Sequence, residues 1–176
     1  MSSITLYQTE DLELINSVLM DETLLPLIGE EGTADPIESF PLIPGLMYIA
    51  LEEDGVLKGM YTLHPLSDLV YISHMSLLPK YWGGAARLTR AAVKWAFEEF
   101  SILKIIGFIP ETHTHAIDHA VAAGFKIECV LEGSMISNGV LASQVMVSLS
   151  DVHEDNKLLK SNDNNNRTAA DKEGTS

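Results

Sequence analysis

Cysteine is all but missing from the chain. Cys129 stands alone, so no internal disulfide and no thiolate zinc cage can form. Bases are scarce as well. Eleven Lys and Arg face 25 Asp and Glu, a formal net charge of −14, which excludes a surface built to neutralise a phosphate backbone. Nucleic acid is therefore not an expected partner. No apolar run approaches the ~20 residues of a membrane span, and residues 1–5 lack the basic and apolar stretch of a secretory leader. No membrane partner is expected, and the expected compartment is a reducing cytoplasm. Wholesale disorder is excluded too, because 46% apolar and 20% charged residues in a chain of 176 can bury one real core.

What is present is unevenly spread. Residues 1–68 hold thirteen acids and a single base, Lys58, for a net of −12, whereas residues 69–150 are neutral and 151–176 carry −2. From Asp151 onward only Leu158 and Leu159 offer much to pack, and Ser161–Arg167 is nearly all Asn and Asp. That composition predicts one folded domain over residues 3–150 and a disordered acidic, polar tail over 151–176.

Within the domain, strand and helix patterns alternate. Ile4, Leu6 and Gln8 flank Thr5 and Tyr7 as in a short strand. Thr9 is the expected N-cap of a helix with Glu10 and Asp11 in its first turn, putting Leu12, Ile15, Val18 and Leu19 on one side. Four prolines punctuate 26–45 as a loop with room for a short helix. Residues 46–51 and 58–64 read as a β-hairpin turning at Glu52-Glu53-Asp54-Gly55, with those acids facing solvent. Residues 70–78 form a strand ended by Pro79. A helix over 86–100 follows, then an apolar strand over 102–109 and a helix over about 114–123 stopped by Gly124. Two last strands, about 126–134 and 141–149, are joined at Ser137-Asn138-Gly139. This order predicts an α/β protein with a central, twisted mixed sheet flanked by helices. Trp95, Phe97, Phe100 and the methionines Met20, Met47, Met60, Met75, Met135 and Met146 read as core.

The segment Leu77-Leu78-Pro79-Lys80-Tyr81-Trp82-Gly83-Gly84-Ala85-Ala86-Arg87 carries the most chemistry. A strand stops at proline, a turn of small residues follows, and a helix opens from it. Without Cβ atoms in the way, successive backbone N–H groups can converge on one concavity, and the helix N-terminus adds partial positive charge. Such a site suits a diphosphate. Lys80 stands at its mouth, while Arg87, Arg90 and Lys94 run down one helix face; Lys94 with Glu98 also reads as an ordinary i,i+4 surface pair.

This segment resembles the acyl-CoA pyrophosphate loop of the GNAT N-acetyltransferase superfamily, in which a proline-ended strand leads into Gln/Arg-x-x-Gly-x-Gly/Ala and a helix. Lys80 takes the Gln/Arg place, Gly83 the first glycine and Ala85 the last small residue. Ile105–Pro110 is similar to the family's fifth strand, and Ala116 through Gly124-Phe125 to its fourth helix. The resemblance implies a GNAT-like fold binding acetyl-CoA as co-substrate, with pantetheine between splayed fourth and fifth strands. It implies backbone contacts near Met75 and Leu77, and diphosphate contacts from Lys80, Trp82, Gly83, Gly84, Ala85 and Arg87. Gly107 inside the fifth strand suits such a close approach or a bulge. Two positions depart from the family: Ala120 stands where a general-acid Tyr is usual, and His113 where an Asn is common.

Candidate catalytic residues are therefore sought among the histidines. His113, at a helix start, is placed to hand a proton toward the departing thiolate through water. His74 alternates with Ile72 and Ser76 in the strand before the loop and titrates in the range suited to deprotonating an ammonium; a core histidine gives the same pattern. His64, Glu52 and Glu53 are weaker candidates. His115 and His119 are spaced i,i+4 with only Glu111 as a third ligand, so no metal is expected.

Two functions fit. One is an N-acetyltransferase moving acetyl from acetyl-CoA to a cationic amine, small molecule or protein, drawn in by the acidic wall of residues 1–68. The other is a GNAT-fold binding or assembly protein with little catalysis, since residues 105–126 also resemble small phage-encoded members, which would make it virion-associated.

Overall fold

The computed structural model describes residues 2–28, 38–137 and 139–151. The tail expected from 151 onward lies, past Asp151 itself, outside the described residues. The alternation at the start forms β1 (Ile4–Gln8), which pairs antiparallel with β2 (Met47–Glu53). Helix α1 (Leu12–Leu19) begins two residues later than Thr9 would have it. Asp11 is the N-cap, its Oδ1 accepting from Glu13 N and Leu14 N at 3.0 and 3.2 Å, while Thr9 Oγ1 accepts from Asp11 N and shapes the turn ahead of it. Carboxylate beats hydroxyl here. Ile15, Val18 and Leu19 are buried, but Leu12 in the first turn is exposed. Helix α2 (Leu25–Ile28) is one turn long.

The hairpin of β2 with β3 (Val56–Pro65) is tighter than expected. Asp54 (φ 53°) and Gly55 (φ 73°) alone make the turn, the left-handed pair that matches strand twist. Glu52 and Glu53 are consequently strand residues. β3 pairs antiparallel with β4 (Val70–Leu77) along its length, and a 3-10 turn (Pro79–Gly84) leads from β4 into α3 (Ala85–Glu99). After β5 (Lys104–Pro110) comes α4 (Thr114–Ala123), closed by Gly124 at φ 111°. The long hairpin of β6 (Lys126–Ser137) and β7 (Val140–Ser150) ends the sheet, whose order is β1-β2-β3-β4-β5-β7-β6. Among the described strands, only β4 and β5 pair in parallel.

Each face of the sheet has its own core. On one, α1 sets Ile15, Val18 and Leu19 against Tyr48 and Met60. On the other, α3 sets Leu88, Ala92, Val93 and Ala96 against Ile49, Leu51, Tyr61 and Leu63, and α4 adds Ala123. Burial of this apolar surface is what holds helices to sheet. Trp95, Phe97 and Phe100 pack on the second core half-buried, Trp95 edge-on to Phe100 at 5.6 Å. Of the described methionines only Met60 is fully buried. Among the described residues no helix is long and apolar enough to cross a membrane.

Candidate active site

The sheet opens where its two halves meet. β4 and β5 pair only at Val70/Lys104, Tyr71/Ile105 and Ile72/Ile106, although β4 continues to Leu77 and β5 to Pro110. β3 holds β4 from Tyr71 to Leu77, and β7 holds β5 through all of Lys104–Pro110. The unpaired ends thus diverge as arms of two firm half-sheets. Gly107 sits where they part: a Cβ there would lie 3.3 Å from Val147 Cγ2 and 3.7 Å from the Ser73 carbonyl oxygen.

At the far end of β4 the glycine loop is a 3-10 turn rather than an open one, and α3 continues from it with Gly84 as N-cap. No side chain caps that helix, although Ala85 N–H donates to the Trp82 carbonyl. A Cβ at Gly83 would meet nothing within 4 Å, and one at Gly84 only Arg87 Nη2 at 3.9 Å. Neither glycine has a positive φ. Nothing in the fold demands glycine at these two places; their small size leaves open the space above a helix N-terminus, as an approaching diphosphate requires.

Three bases, Lys58, Lys80 and Arg87, gather around this end. Lys58 Nζ lies 4.0 Å from the Tyr81 ring centroid and Lys80 Nζ 4.9 Å from it. Arg87 Nη2 meets Glu53 Oε1 at 2.7 Å, and Lys58 Nζ lies 3.9 Å from Glu53 Oε2. Glu53 is held below its ordinary carboxylate range, first by the Ser2 hydroxyl and then by Arg87 and Lys58, against the opposing effect of desolvation. The expected solvent-facing role of Glu53 is thus corrected: the strand extends through it, and its carboxylate engages the very arginine assigned to the diphosphate. Lys58, the lone base of the acidic segment, is a member of this cluster that the sequence pattern did not reveal.

The remaining candidates divide. Trp82 Nε1 donates to the Leu77 carbonyl at 2.8 Å, so these two residues bind each other. Met75 is half-buried on the α3 side, and Ala85 is buried at the helix start. Arg90 turns away to donate to Ala122 O at 2.8 Å, capping α4, while Lys94 pairs with Glu98 at 3.6 Å. His113 is the N-cap of α4, just past the open end of β5. Ala120, half-buried, packs on the core, and no group of three metal-ligating side chains occurs among the described residues.

His74 lies on the diverging stretch of β4, opposite Thr62 of β3 and on the α1 face. Its ring stacks on His64 with centroids 6.3 Å apart and planes 13° apart. Both line a cavity of about 450 Å³ with Thr62, Pro65 and the segment Ile43–Leu46. The ring reaches solvent at the cavity surface, yet the surrounding protein pushes its pKa down, with His64 as second cause. On the opposite face Tyr61 is buried, and among the described residues its hydroxyl has no well-formed hydrogen bond. Burial drives its pKa up, opposed by the Ser73 hydroxyl nearby.

Comparison with known proteins fits this geometry. No curated protein sequence matches the chain. A spermidine N-acetyltransferase of Vibrio cholerae, solved with CoA and spermine, superposes with TM-score 0.68 at 16% identity, over 84% of this chain and 95% of that one. A GNAT-family acetyltransferase of Bacillus anthracis gives 0.53 at 17% identity, over 60% and 66%. At such identities the likeness concerns the fold. The sequence itself matches the acetyltransferase (GNAT) family model over residues 16–126, a span that runs from α1 through the loop and α4 to the start of β6. The chain belongs to the GNAT acetyltransferase family.

Proposed function

We propose that the protein is an N-acetyltransferase that moves acetyl from acetyl-CoA to the amine of a cationic acceptor. The observation that carries this reading is the parting of β4 from β5 in a line that ends at the uncapped start of α3, with open space over Gly83. A slot for a narrow chain and a cradle for its diphosphate then lie in sequence. Lys58, Lys80 and Arg87 supply positive charge to an anion there. When bound, acetyl-CoA supplies the activated thioester.

The acceptor arrives as an ammonium. His74, largely neutral at pH 7 because its pKa is lowered, takes one proton. The nitrogen lone pair then forms the C–N bond as the acyl C–S bond breaks. The nitrogen sheds a second proton, the departing sulfur takes one, and one proton in net passes to solvent. Ala120 offers the sulfur nothing, so His113 or a water it orients is the donor in this reading. The site residues Met75, Leu77, Lys80, Trp82, Gly83, Gly84, Ala85 and Arg87 form the CoA face, with Lys58 added.

The test is thiol release from acetyl-CoA against a panel of amines. His74→Ala should lower turnover on the order of 10²–10⁴-fold, and His113→Ala about tenfold or more, each with CoA affinity intact. Undiminished rates would remove these residues from their roles. A second reading, a CoA-binding or virion-associated phage protein without turnover, rests on Ala120; tight CoA binding without transfer to any amine would select it.

A further inference from the structure

The core on the α3 side holds a hydroxyl that packing does not explain. Tyr61 is 1% exposed, and among the described residues its hydroxyl makes no well-formed hydrogen bond. Such a group is costly, and a Phe would fill the same core without it. The nearby hydroxyl is that of Ser73. Ser73 pairs in register with Leu63, so Tyr61, two residues back on β3, reaches it along the diagonal that aromatic side chains can span.

Ser73 stands at the closed end of the slot. The last β4–β5 pair is Ile72/Ile106, so Ser73 is the first residue of β4 beyond it and Gly107 its counterpart on β5. Alternation turns the Ser73 side chain to the same side as Met75 and Leu77, which belong to the α3-side core. Gly107 has its side-chain position there too, since it pairs with Val147 of that core. A Cβ on Gly107 would lie 3.7 Å from the Ser73 carbonyl oxygen, and its absence leaves room beside the Ser73 side chain. From Ser73 to Pro79, where the glycine loop begins, is roughly 20 Å at the rise of a strand. An extended pantetheine arm with its acyl group spans about that length.

We propose that Ser73 is a catalytic residue whose hydroxyl donates a hydrogen bond to the acyl carbonyl oxygen of acetyl-CoA, and that Tyr61 is a positioning residue that donates to the Ser73 oxygen from behind. The inference rests on the transferase reading above. One rotatable bond brings the serine oxygen into line between the tyrosine hydroxyl and a ligand oxygen. Tyr61 then gains a well-formed partner, and the two donors reinforce each other in a dry site. A donor aimed at an oxygen that gains negative charge during the reaction favours the transition state over the ground state. Burial raises the pKa of Tyr61, so both hydroxyls keep their protons and act as donors only. Ala120, packed on the same core, adds no hydroxyl of its own.

Calorimetric titration of the full-length protein with acetyl-CoA and with CoA tests this without turnover, because only acetyl-CoA has the acyl oxygen. Ser73→Ala should weaken acetyl-CoA about threefold to tenfold and leave CoA unchanged. Tyr61→Phe should shift affinity in the same sense. Equal losses for both ligands, or no loss, would overturn the contact even if the protein transfers acetyl. A loss confined to acetyl-CoA in a protein that acetylates no amine would keep the contact and sink the transferase reading. In turnover, Ser73→Ala should lower kcat about tenfold or more. Tyr61→Phe should lower kcat while its unfolding midpoint rises, two changes that a packing defect would not combine. Adding Tyr61→Phe to Ser73→Ala should cost no more than Ser73→Ala alone, since Tyr61 acts through Ser73. Fully additive losses would remove Tyr61 from its positioning role.

Discussion

At the scale of single residues, two side chains carry consequences that the fold does not require. Tyr61 buries a hydroxyl in the α3-side core that makes no well-formed hydrogen bond among the described residues, the nearby Ser73 hydroxyl being too poorly placed to satisfy it. An unmade buried hydrogen bond is unfavourable, so Tyr61→Phe should raise stability by about 1 kcal/mol in a denaturant titration. A loss of stability would mean that the hydroxyl has a bonded neighbour. Glu53 holds Arg87 at 2.7 Å. If Arg87 is to meet a CoA phosphate it must leave this carboxylate, and partly exposed ion pairs give way readily. Glu53→Gln should therefore tighten CoA by roughly twofold to fivefold, with no such gain for dephospho-CoA if Arg87 meets the 3′-phosphate. Equal gains for both would mean that only the general field has changed. Neither role shows in the sequence, since a turn-adjacent Glu and a core Tyr follow the same local patterns whatever they face across the sheet. Lys58 likewise gave no signal, because what sets it beside Tyr81 is pairing between strands.

Among the elements, two glycines separate folding from binding. A Cβ at Gly59 would come within 2.3 Å of the Ser76 carbonyl oxygen and 2.9 Å of Leu77 Cα. That is backbone, and it cannot step aside. Gly59→Ala should cost about 1–3 kcal/mol or more, read as a lowered unfolding midpoint. At Gly107 the near atom is a side-chain methyl of Val147 at 3.3 Å, which has to give by only a few tenths of an ångström, so Gly107→Ala should cost less stability than Gly59→Ala while narrowing the slot and weakening CoA. The reverse pattern would place the slot elsewhere. The succession of strands and helices was legible because each keeps its own hydrophobic period, and the loop was legible because Pro79, Gly83, Gly84 and Ala85 are local. Its 3-10 conformation, the Asp11 cap in place of Thr9, and the two-residue turn at Asp54-Gly55 depended on competition between neighbouring groups, which a pattern of types does not resolve.

For the whole molecule, charge is divided by purpose. The acids concentrate before residue 69, and the bases Lys58, Lys80 and Arg87 collect at one end of β4. Attraction of a cation to such an acidic surface is long-ranged and screened by salt. Between about 0.02 and 0.3 M salt, kcat/KM for a cationic amine should fall roughly threefold or more; a salt-independent value would reduce the acidity to a matter of solubility. The cavity with His64 and His74 was only half visible in advance, since His74 announced itself by alternation but its partner needed the register of β3 on β4. Everything proposed for chemistry depends on CoA lying along the β4–β5 cleft with its diphosphate at Gly83. Calorimetric titration of CoA into the wild type and into Gly83→Asp decides this directly. Position 83 has room for the new side chain, so the variant should fold with an unchanged melting temperature and lose CoA binding. Equal affinity in the two proteins would contradict it.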